Sequence, residues 1–319
     1  MGRTNVALPK EYFLEVVLII ILKFSFEECF RYFMPEYKKN HTIPRFMLEY
    51  WIDVNTEHKG VHVYDVNSQR YYISTSQGRK AFSFAIINNL YIHDSYNKRA
   101  VGLEKWFSQQ EQALSTLISQ AHKRQTIQPI SSMESTKLLM ALTGLEYRSN
   151  YVLKKLLEAI ENNEIDREKI SANPERPSKQ LLLENIVHLV TEQHLKFIPT
   201  EMFIAFAPEN CNFLLSDRPF INYEELEYRF VVLTNKIVLG YRRSTQDTID
   251  YIDLRKDFFE LINEKIAFNA REWLIACSEK ELKKYSTVFN TKDWEQSVKE
   301  DKVIFKPIKF LCGGWTIDR

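Results

Sequence analysis

The spacing of apolar residues along this chain changes from strand-like to helical and then back to strand-like. This order of predicted strands and helices limits the folds that the chain can adopt. Residues 61–66 alternate between two faces, residues 67–69 form a polar break, and residues 70–75 are again rich in strand formers, which predicts a β-hairpin. From Leu103 to His122 the apolar residues recur at helical spacing instead. A pair of strands is therefore followed by a helical region.

Further helices and then further strands follow. Two helices are predicted at 132–142 and 149–162, and a third runs from Ser178, its N-cap, to about His194. Several strands come next, and then one long helix over 254–277. The predicted strands are at residues 202–206, 212–215, 230–233, 236–241, 303–305 and 308–311. This order predicts an α+β fold with a predominantly helical middle, in which both halves contribute antiparallel or mixed β-sheet elements.

Composition narrows the class of protein. Only 8 glycines and 10 prolines occur in 319 residues, which favours long helices with few hairpins. The charges nearly cancel, with 43 Lys and Arg against 42 Asp and Glu, so no overall field draws the protein to nucleic acid or to a membrane. The four cysteines are scattered without a C-x-x-C pair, which predicts a reducing, cytoplasmic location.

The chain divides into an extension and a body. Residues 1–37 are predicted to be an apolar N-terminal extension, and residues 38–319 a single α+β domain with an internal linker near 171–178. The apolar run 16–22 is far shorter than the ~20 residues that a membrane helix needs. We therefore predict no membrane span, and we expect this run to pack against the body, a second copy of the chain or a protein partner.

One histidine stands in a distinctive local setting. His41 comes three residues before Pro44, whose fixed φ biases Ile43 toward an extended conformation. Phe46, Leu48 and Trp51 then recur at roughly helical spacing. His41 is therefore predicted on non-helical chain just before a short helix, where a histidine can serve as an acid, a base or a ligand.

Several short islands of sequence occur in a characteristic order. They are His41–Leu48, Val61–Asp65, Asn89–Tyr91, Leu103–Glu111, Leu145–Arg148, Leu215–Pro219, Leu261–Glu264 and Asn269–Arg271. Their order and spacing resemble the uncharacterised, mainly bacterial family called domain of unknown function 4238, over about residues 38–280. Two positions depart from the family: Asn40 stands where a first histidine is often found, and Arg218 replaces the asparagine of a Ser-Asp-Asn-Pro motif. The resemblance implies which residues to watch but supplies no activity.

Two acids on the first long helix could form a site. Glu104 and Glu111 are seven residues apart, so they share a face, with Phe107 between them. Partial burial would raise the pKa of at least one carboxyl, and such a pair can act as acid and base or hold a divalent ion. The alternative is that both carboxylates pair with arginines of a neighbouring helix and fix its packing.

Three other polar residues have two interpretations each. Asp217 ends an apolar run, where it is either a reachable site residue or a turn former that accepts local backbone N–H groups. Arg148 can clamp a phosphate or pair with a structural carboxylate. Asn263 lies on an otherwise apolar helix with Arg271 two turns away, and its amide either serves a site or ties the helix to a loop.

Several common chemical motifs are absent from the sequence. It contains no H-E-x-x-H zinc motif, no glycine-rich phosphate loop and no serine-hydrolase elbow. The histidines at 58, 62, 188 and 194 have no zinc-site spacing. The ligands of any metal therefore stay unassigned, and Mg²⁺ is the metal that the acids would suit.

These residues support two functional hypotheses. The first is a hydrolase, nuclease-like and assisted by Mg²⁺, that acts on a phosphodiester or nucleotide; the kind of family suggests a toxin or phage-defence context. The alternative is a non-enzymatic sensor or protein-interaction module in which the same residues form a buried polar network. The predicted catalytic residues are His41, Glu104, Glu111, Asp217 and Asn263, and the predicted substrate-binding residues are Arg148 and Arg271. In a shared site they should lie within ~15 Å of one another.

Overall fold

The three-dimensional structure is a computed structural model. It describes residues 39–56, 59–88, 90, 101–124, 131–171, 173–223 and 227–301, and at positions 39, 79, 101, 102, 104, 105 and 132 it describes the backbone alone. The extension 1–37, with its apolar run, and the predicted strands after residue 301 lie outside the described residues. Of the helices in the described ranges, none has the length and apolar character needed to cross a membrane.

The described part of the chain forms an α+β fold, as predicted, with nine helices and three sheets. The helices are α1 (Arg45–Leu48), α2 (Val101–His122), α3 (Ser132–Tyr147), α4 (Asn150–Glu161), α5 (Arg167–Ile170), α6 (Ser178–Leu195), α7 (Lys256–Asn269), α8 (Glu279–Tyr285) and α9 (Lys292–Glu300). The strands are β1 (Lys39–His41), β2 (Gly60–Asp65), β3 (Arg70–Thr75), β4 (Ile86–Asn88), β5 (Thr200–Phe206), β6 (Leu215–Ser216), β7 (Phe220–Tyr223), β8 (Tyr228–Val232), β9 (Ile237–Arg243), β10 (Thr248–Asp253) and β11 (Trp273–Ala276).

The entry segment folds as its proline predicts. His41 is the last residue of β1, which pairs with β4 in antiparallel register. Pro44 has φ −52° and precedes the first helical residue, Arg45. Because the first N–H groups of a helix have no intrahelical partner, Pro44 can stand as the N-cap residue without the loss of a hydrogen bond. Met47, Leu48 and Trp51 then bury their side chains completely.

The predicted hairpin is confirmed. Strands β2 and β3 pair in antiparallel register from Gly60 opposite Thr75 to Asp65 opposite Arg70. They belong to a four-stranded sheet of order β3-β2-β11-β6.

The prediction of one long helix over 254–277 is wrong in its last third. Helix α7 ends at Asn269, Ala270 is extended with ψ 139°, and Trp273–Ala276 forms strand β11 between β2 and β6. Every residue of β11 is buried. A strand covered on both faces has no alternation in sequence, so its apolar run cannot be told from a helix by period alone.

The second large sheet is mixed, as predicted. Its order is β10-β5-β9-β8-β7, and only the β10–β5 pair is parallel. The main hydrophobic core includes buried residues of both large sheets and of α7. The strand predicted at 212–215 is shorter than expected, because only Leu215 and Ser216 pair, with β11.

Helices α2, α3, α4 and α6 carry a second apolar cluster. Ser178 is the first residue of α6 and not its N-cap, which is Pro177. The Ser178 hydroxyl instead accepts a hydrogen bond from Arg167, 3.0 Å away, and the same guanidinium donates to the carbonyl groups of Pro174 and Arg176. Arg167 therefore ties the predicted linker to α5.

Candidate functional site

The turn between α3 and α4, residues 146–154, is called the helix corner below. Arg148 is the C-cap residue of α3, and its side chain turns toward α2 and β1. Nη1 donates to the carboxylate of Glu111, and Nη2 donates to the carbonyl oxygen of His41 at 2.6 Å. The guanidinium lies 4.9 Å from the ring centroid of Phe107. The structure therefore brings together three of the predicted residues, His41, Glu111 and Arg148.

The Arg148–Glu111 ion pair is largely enclosed. The Arg148 side chain is 9% exposed and that of Glu111 is 21% exposed. This arrangement matches the packing interpretation, in which an acid on α2 pairs with an arginine of a neighbouring helix. For Glu104, the other acid of the predicted pair, only the backbone position on α2 is described.

The imidazole of His41 has a buried polar atom that could accept or donate a further hydrogen bond. Its Nε2 is buried and has no hydrogen-bond partner among the described residues. Burial lowers the pKa of His41, the positive charges of Arg45 and Arg148 lower it further, and a hydrogen bond with the Ala81 backbone and the charge of Glu111 act against them. Together these effects shift the imidazole toward its neutral form.

Asp217 lies directly after β6 and holds the turn between α7 and β11. Its Oδ1 accepts the backbone N–H groups of Arg271 at 2.9 Å, Glu272 at 3.1 Å and Trp273 at 3.4 Å. Its Oδ2 has no partner among the described residues, and the residue is 2% exposed. Burial raises the pKa of this carboxyl to about 6; the three backbone hydrogen bonds act against that rise, and the charge of Glu272 adds to it.

The guanidinium of Arg271 is engaged by the protein on every nitrogen. Nε donates to Asp301 at 3.0 Å, Nη1 to the carbonyl oxygen of Phe268 at 2.8 Å, and Nη2 to the Ser297 hydroxyl at 3.2 Å. Its side chain is 5% exposed. A substrate could reach Arg271 only by displacing α9, which carries Ser297.

Asn263 forms a separate cluster. Its Oδ1 accepts the backbone N–H of Leu214 at 2.9 Å, and its Nδ2 donates to the carbonyl oxygen of Asn212 at 3.2 Å. The residue is 1% exposed. The amide therefore ties α7 to the segment before β6, which matches the loop-tying interpretation.

The helix corner joins the first two clusters. Asn150 and Lys154 both donate to the Glu272 carboxylate, the latter at 3.1 Å, beside the N–H groups that Asp217 holds. The ring of Tyr151 lies 5.5 Å from the Arg218 guanidinium, which is paired with Asp301. Hydrogen bonds and packing through this corner therefore connect five of the predicted residues, namely His41, Glu111, Arg148, Asp217 and Arg271. Asn263 bonds instead to Leu214 and Asn212.

A cavity of about 290 Å³ opens on the other side of the helix corner. We call it the cationic cavity, and its principal lining residues are Glu146, Arg218, Phe220, Arg229, Lys265 and Phe268. These side chains come from α3, the β6–β7 turn, β7, β8 and α7. Three cations and one carboxylate leave the wall with an excess of positive charge.

The three cations differ in how they are held. Arg229 is 12% exposed; its Nη2 donates to both oxygens of Glu146 at 2.8 Å, and its Nε donates to Asn222 at 2.9 Å. Arg218 pairs with Asp301. Lys265 forms no ion pair with a described carboxylate, and its Nζ lies 5.5 Å from the ring centroid of Tyr223. Lys265 is therefore the most available cation of the cavity in the described part of the chain.

The sequence prediction did not single out Arg229, Lys265 or Glu146. Arg218 and Glu146 both lie in the family-like islands. Arg218 is a departure from the family's Ser-Asp-Asn-Pro motif, and Glu146 stands two residues before Arg148. Arg229 and Lys265 belong to no local motif, and only the pairing of β7 with β8 and the packing of α7 bring them together. Within the described residues, no group of three or more His, Cys, Asp or Glu side chains could hold a metal ion.

Comparison with known proteins gives one family and no closer relative. The model of a family described as "Protein of unknown function (DUF4238)" matches residues 39–280, about three quarters of the chain. No curated protein and no solved structure matches the chain. The matched range contains the helix corner and every principal lining residue of the cationic cavity.

Proposed function

The chain belongs to the DUF4238 family of proteins of unknown function, and we propose that it binds a phosphate-bearing small molecule of nucleotide size in the cationic cavity. The observation that carries this proposal is that Arg218, Arg229 and Lys265 converge on one cavity from three separate elements. Guanidinium and ammonium groups are the usual protein donors to phosphate oxygens. A volume of about 290 Å³ is at the lower end of small-molecule pockets.

The remaining walls favour a nucleotide over a free phosphate. Phe220 and Phe268 supply aromatic surface, against which a base can pack. Asn222 and Asn269 add amide groups at the same wall, and Glu146 adds an acceptor. A few polar groups set among apolar surface are typical of sites that fix the orientation of a small ligand.

We favour binding without chemistry, which is the sensor alternative. The polar side-chain atoms of Asn263 and Arg271 form hydrogen bonds within the protein. The Oδ1 of Asp217 accepts three backbone N–H groups. Satisfied buried polar groups of this kind rigidify a fold and specify it. These predicted site residues therefore stabilise the fold around the cavity more readily than they react with a ligand inside it.

Hydrolysis of a nucleotide or phosphodiester is the second candidate, and Asp217 is the observation that favours it. Its Oδ2 has no partner among the described residues, and a carboxyl with a pKa of about 6 exchanges its proton near neutral pH. The next residue, Arg218, lines the cavity. In this candidate Asp217 is the general acid or base, and Asp217→Asn abolishes turnover.

Titration calorimetry with AMP, ATP and a dinucleotide tests the proposal. Lys265→Gln removes the most available cation, and it should weaken nucleotide binding by about 10- to 100-fold, because a hydrogen bond to a charged group contributes about 1.5–3 kcal/mol. Lys280→Gln is the matched control, since Lys280 is exposed on α8, away from the cavity. Equal loss in both variants, or no nucleotide binding by the parent protein, would refute the proposal.

Chromatography of the same mixtures separates the two candidates. Intact nucleotide after long incubation supports the sensor, and product formation that Asp217→Asn abolishes supports the hydrolase. The toxin or phage-defence context is tested by expressing the parent and Lys265→Gln proteins in bacteria, with and without phage. Growth or protection that differs between the two proteins would connect the cavity to that context.

A further inference from the structure

Glu146 already places an anion on Arg229. Both of its carboxylate oxygens lie 2.8 Å from Nη2 of Arg229, at the wall of the cationic cavity. The Glu146 side chain is 26% exposed, whereas that of Arg229 is 12% exposed. The more accessible partner of this ion pair is therefore the carboxylate.

A ligand phosphate and this carboxylate would compete for the same guanidinium. Two anions on one side of Arg229 repel each other, and the repulsion is stronger in a partly enclosed cavity than in water. Arg229 is held in place by β8, by Asn222 and by the ring of Phe220, whose centroid lies 5.2 Å away. If one member of the pair moves, it is Glu146.

The second carboxylate near the cavity is held more firmly. Asp301 pairs with both Arg218 and Arg271, and its side chain is 13% exposed. The Glu146 carboxylate has Arg229 as its only hydrogen-bond partner among the described residues. Of the two carboxylates, Glu146 is therefore the one that has fewer partners and greater exposure.

We propose that Glu146 is an internal competitor, which occupies Arg229 in the empty cavity and is displaced by the doubly charged phosphate of a phosphate monoester. This inference rests on the proposed function, because it concerns the same cavity. A terminal phosphate carries a charge of about −1.5 to −2 at pH 7, whereas a phosphodiester carries a single charge. The ligand with the larger charge displaces Glu146 more readily, so the cavity selects monoesters over diesters.

Inorganic phosphate, AMP and cyclic AMP are suitable probes, since the two nucleotides share a base and differ in the ester. In the parent protein AMP should bind more tightly than cyclic AMP. Glu146→Gln removes the competing charge, so it should bind inorganic phosphate about tenfold more tightly, and AMP should gain at least as much affinity as cyclic AMP. Glu264→Gln is the control, because Glu264 is exposed on α7 beside Lys265 and forms no ion pair with a described residue.

Weaker or unchanged phosphate binding by Glu146→Gln would overturn the inference, because it would show that Glu146 recognises the ligand or plays no part. Equal affinity of the parent protein for AMP and cyclic AMP would also overturn it. Loss of the carboxylate also leaves the Arg229 cation without its partner, which destabilises the fold. Melting temperatures with added phosphate address this point. A larger phosphate-induced rise for the variant than for the parent supports displacement, and a variant that stays unfolded at every phosphate concentration overturns it.

The two proposals fail in different ways. Nucleotide binding that depends on Lys265 but is not improved by Glu146→Gln keeps the proposed function and overturns the competitor. A parent that binds no nucleotide, together with a variant that takes up phosphate tightly, supports displacement of Glu146 and refutes the proposed function.

Discussion

Replacing Asp217 by asparagine should change how the stability of this protein depends on pH. The residue is 2% exposed, and burial raises its pKa to about 6. In an unfolded chain the value is about 3.9. The folded protein therefore binds this proton more tightly than the unfolded chain does. As the pH rises through this window, ionisation of Asp217 lowers the free energy of unfolding, and the contribution of the protonated acid is lost.

The size of the effect follows from the difference of about two pH units. Each unit corresponds to about 1.36 kcal/mol, which gives about 3 kcal/mol in all, of which about 2 kcal/mol falls between pH 4 and pH 7. Asparagine does not ionise, and it keeps an oxygen that can accept the same three backbone N–H groups. The free energy of unfolding of Asp217→Asn, minus that of the parent, should therefore rise by about 2 kcal/mol over this range.

Urea unfolding followed by tryptophan fluorescence measures this difference, because the chain has five tryptophans. Asp250→Asn is the control, because Asp250 is exposed on β10. A flat or falling curve for Asp217→Asn would refute the reasoning. It would mean that the three N–H donors outweigh burial and hold the carboxylate ionised.

Three further changes test the packing of the fold. Arg148→Met should lower the free energy of unfolding by about 3 kcal/mol, because Glu111 loses its buried partner. Urea unfolding of Arg148→Met, of Glu111→Gln and of the double variant measures the coupling between the two residues. Losses that simply add in the double variant would contradict a stabilising ion pair. Asn263→Ala should lower the free energy of unfolding by about 2 kcal/mol, because it leaves two backbone groups unpaired. The melting temperature should fall, and an unchanged value would contradict the role given to this amide. Gly240→Ala should lower the free energy of unfolding by about 1–3 kcal/mol, because the added methyl group meets the ring of Phe203. An unchanged melting temperature would show that this ring can move aside.

Local sequence patterns predicted the elements that have one buried face. The hairpin of Gly60–Asp65 and Arg70–Thr75 was predicted because its turn and its two strands are consecutive in sequence. Strand β11 was missed because it is buried on both faces and follows α7 after three residues. What decides its conformation is distant in sequence: β2 and β6 supply its hydrogen-bond partners, and Asp217 holds the turn before it.

The candidate site divides in the same way. Residues in the family-like islands, such as His41 and Arg148, could be identified from the sequence. The contact between His41 and Arg148 could not be predicted, because it depends on the path of β1 past the end of α3. Arg229 and Lys265 carry no local signal at all, since isolated cations on exposed or amphipathic elements are common in any chain. Their meeting in one cavity is a property of the packing of α7 on β7.

Asp217 and Arg218 show why the structural and ligand-binding interpretations of one motif need not exclude each other. The two residues are adjacent after the short strand β6, and their side chains have different surroundings. Asp217 is enclosed and accepts N–H groups from the turn that leads into β11, whereas Arg218 lies at the wall of the cationic cavity. A carboxylate that fixes this turn therefore also fixes the backbone from which Arg218 projects. Removing the acid would disturb a phosphate site without the acid ever touching a ligand, so loss of binding in Asp217→Asn alone cannot identify a catalytic group, whereas loss of turnover with binding intact can.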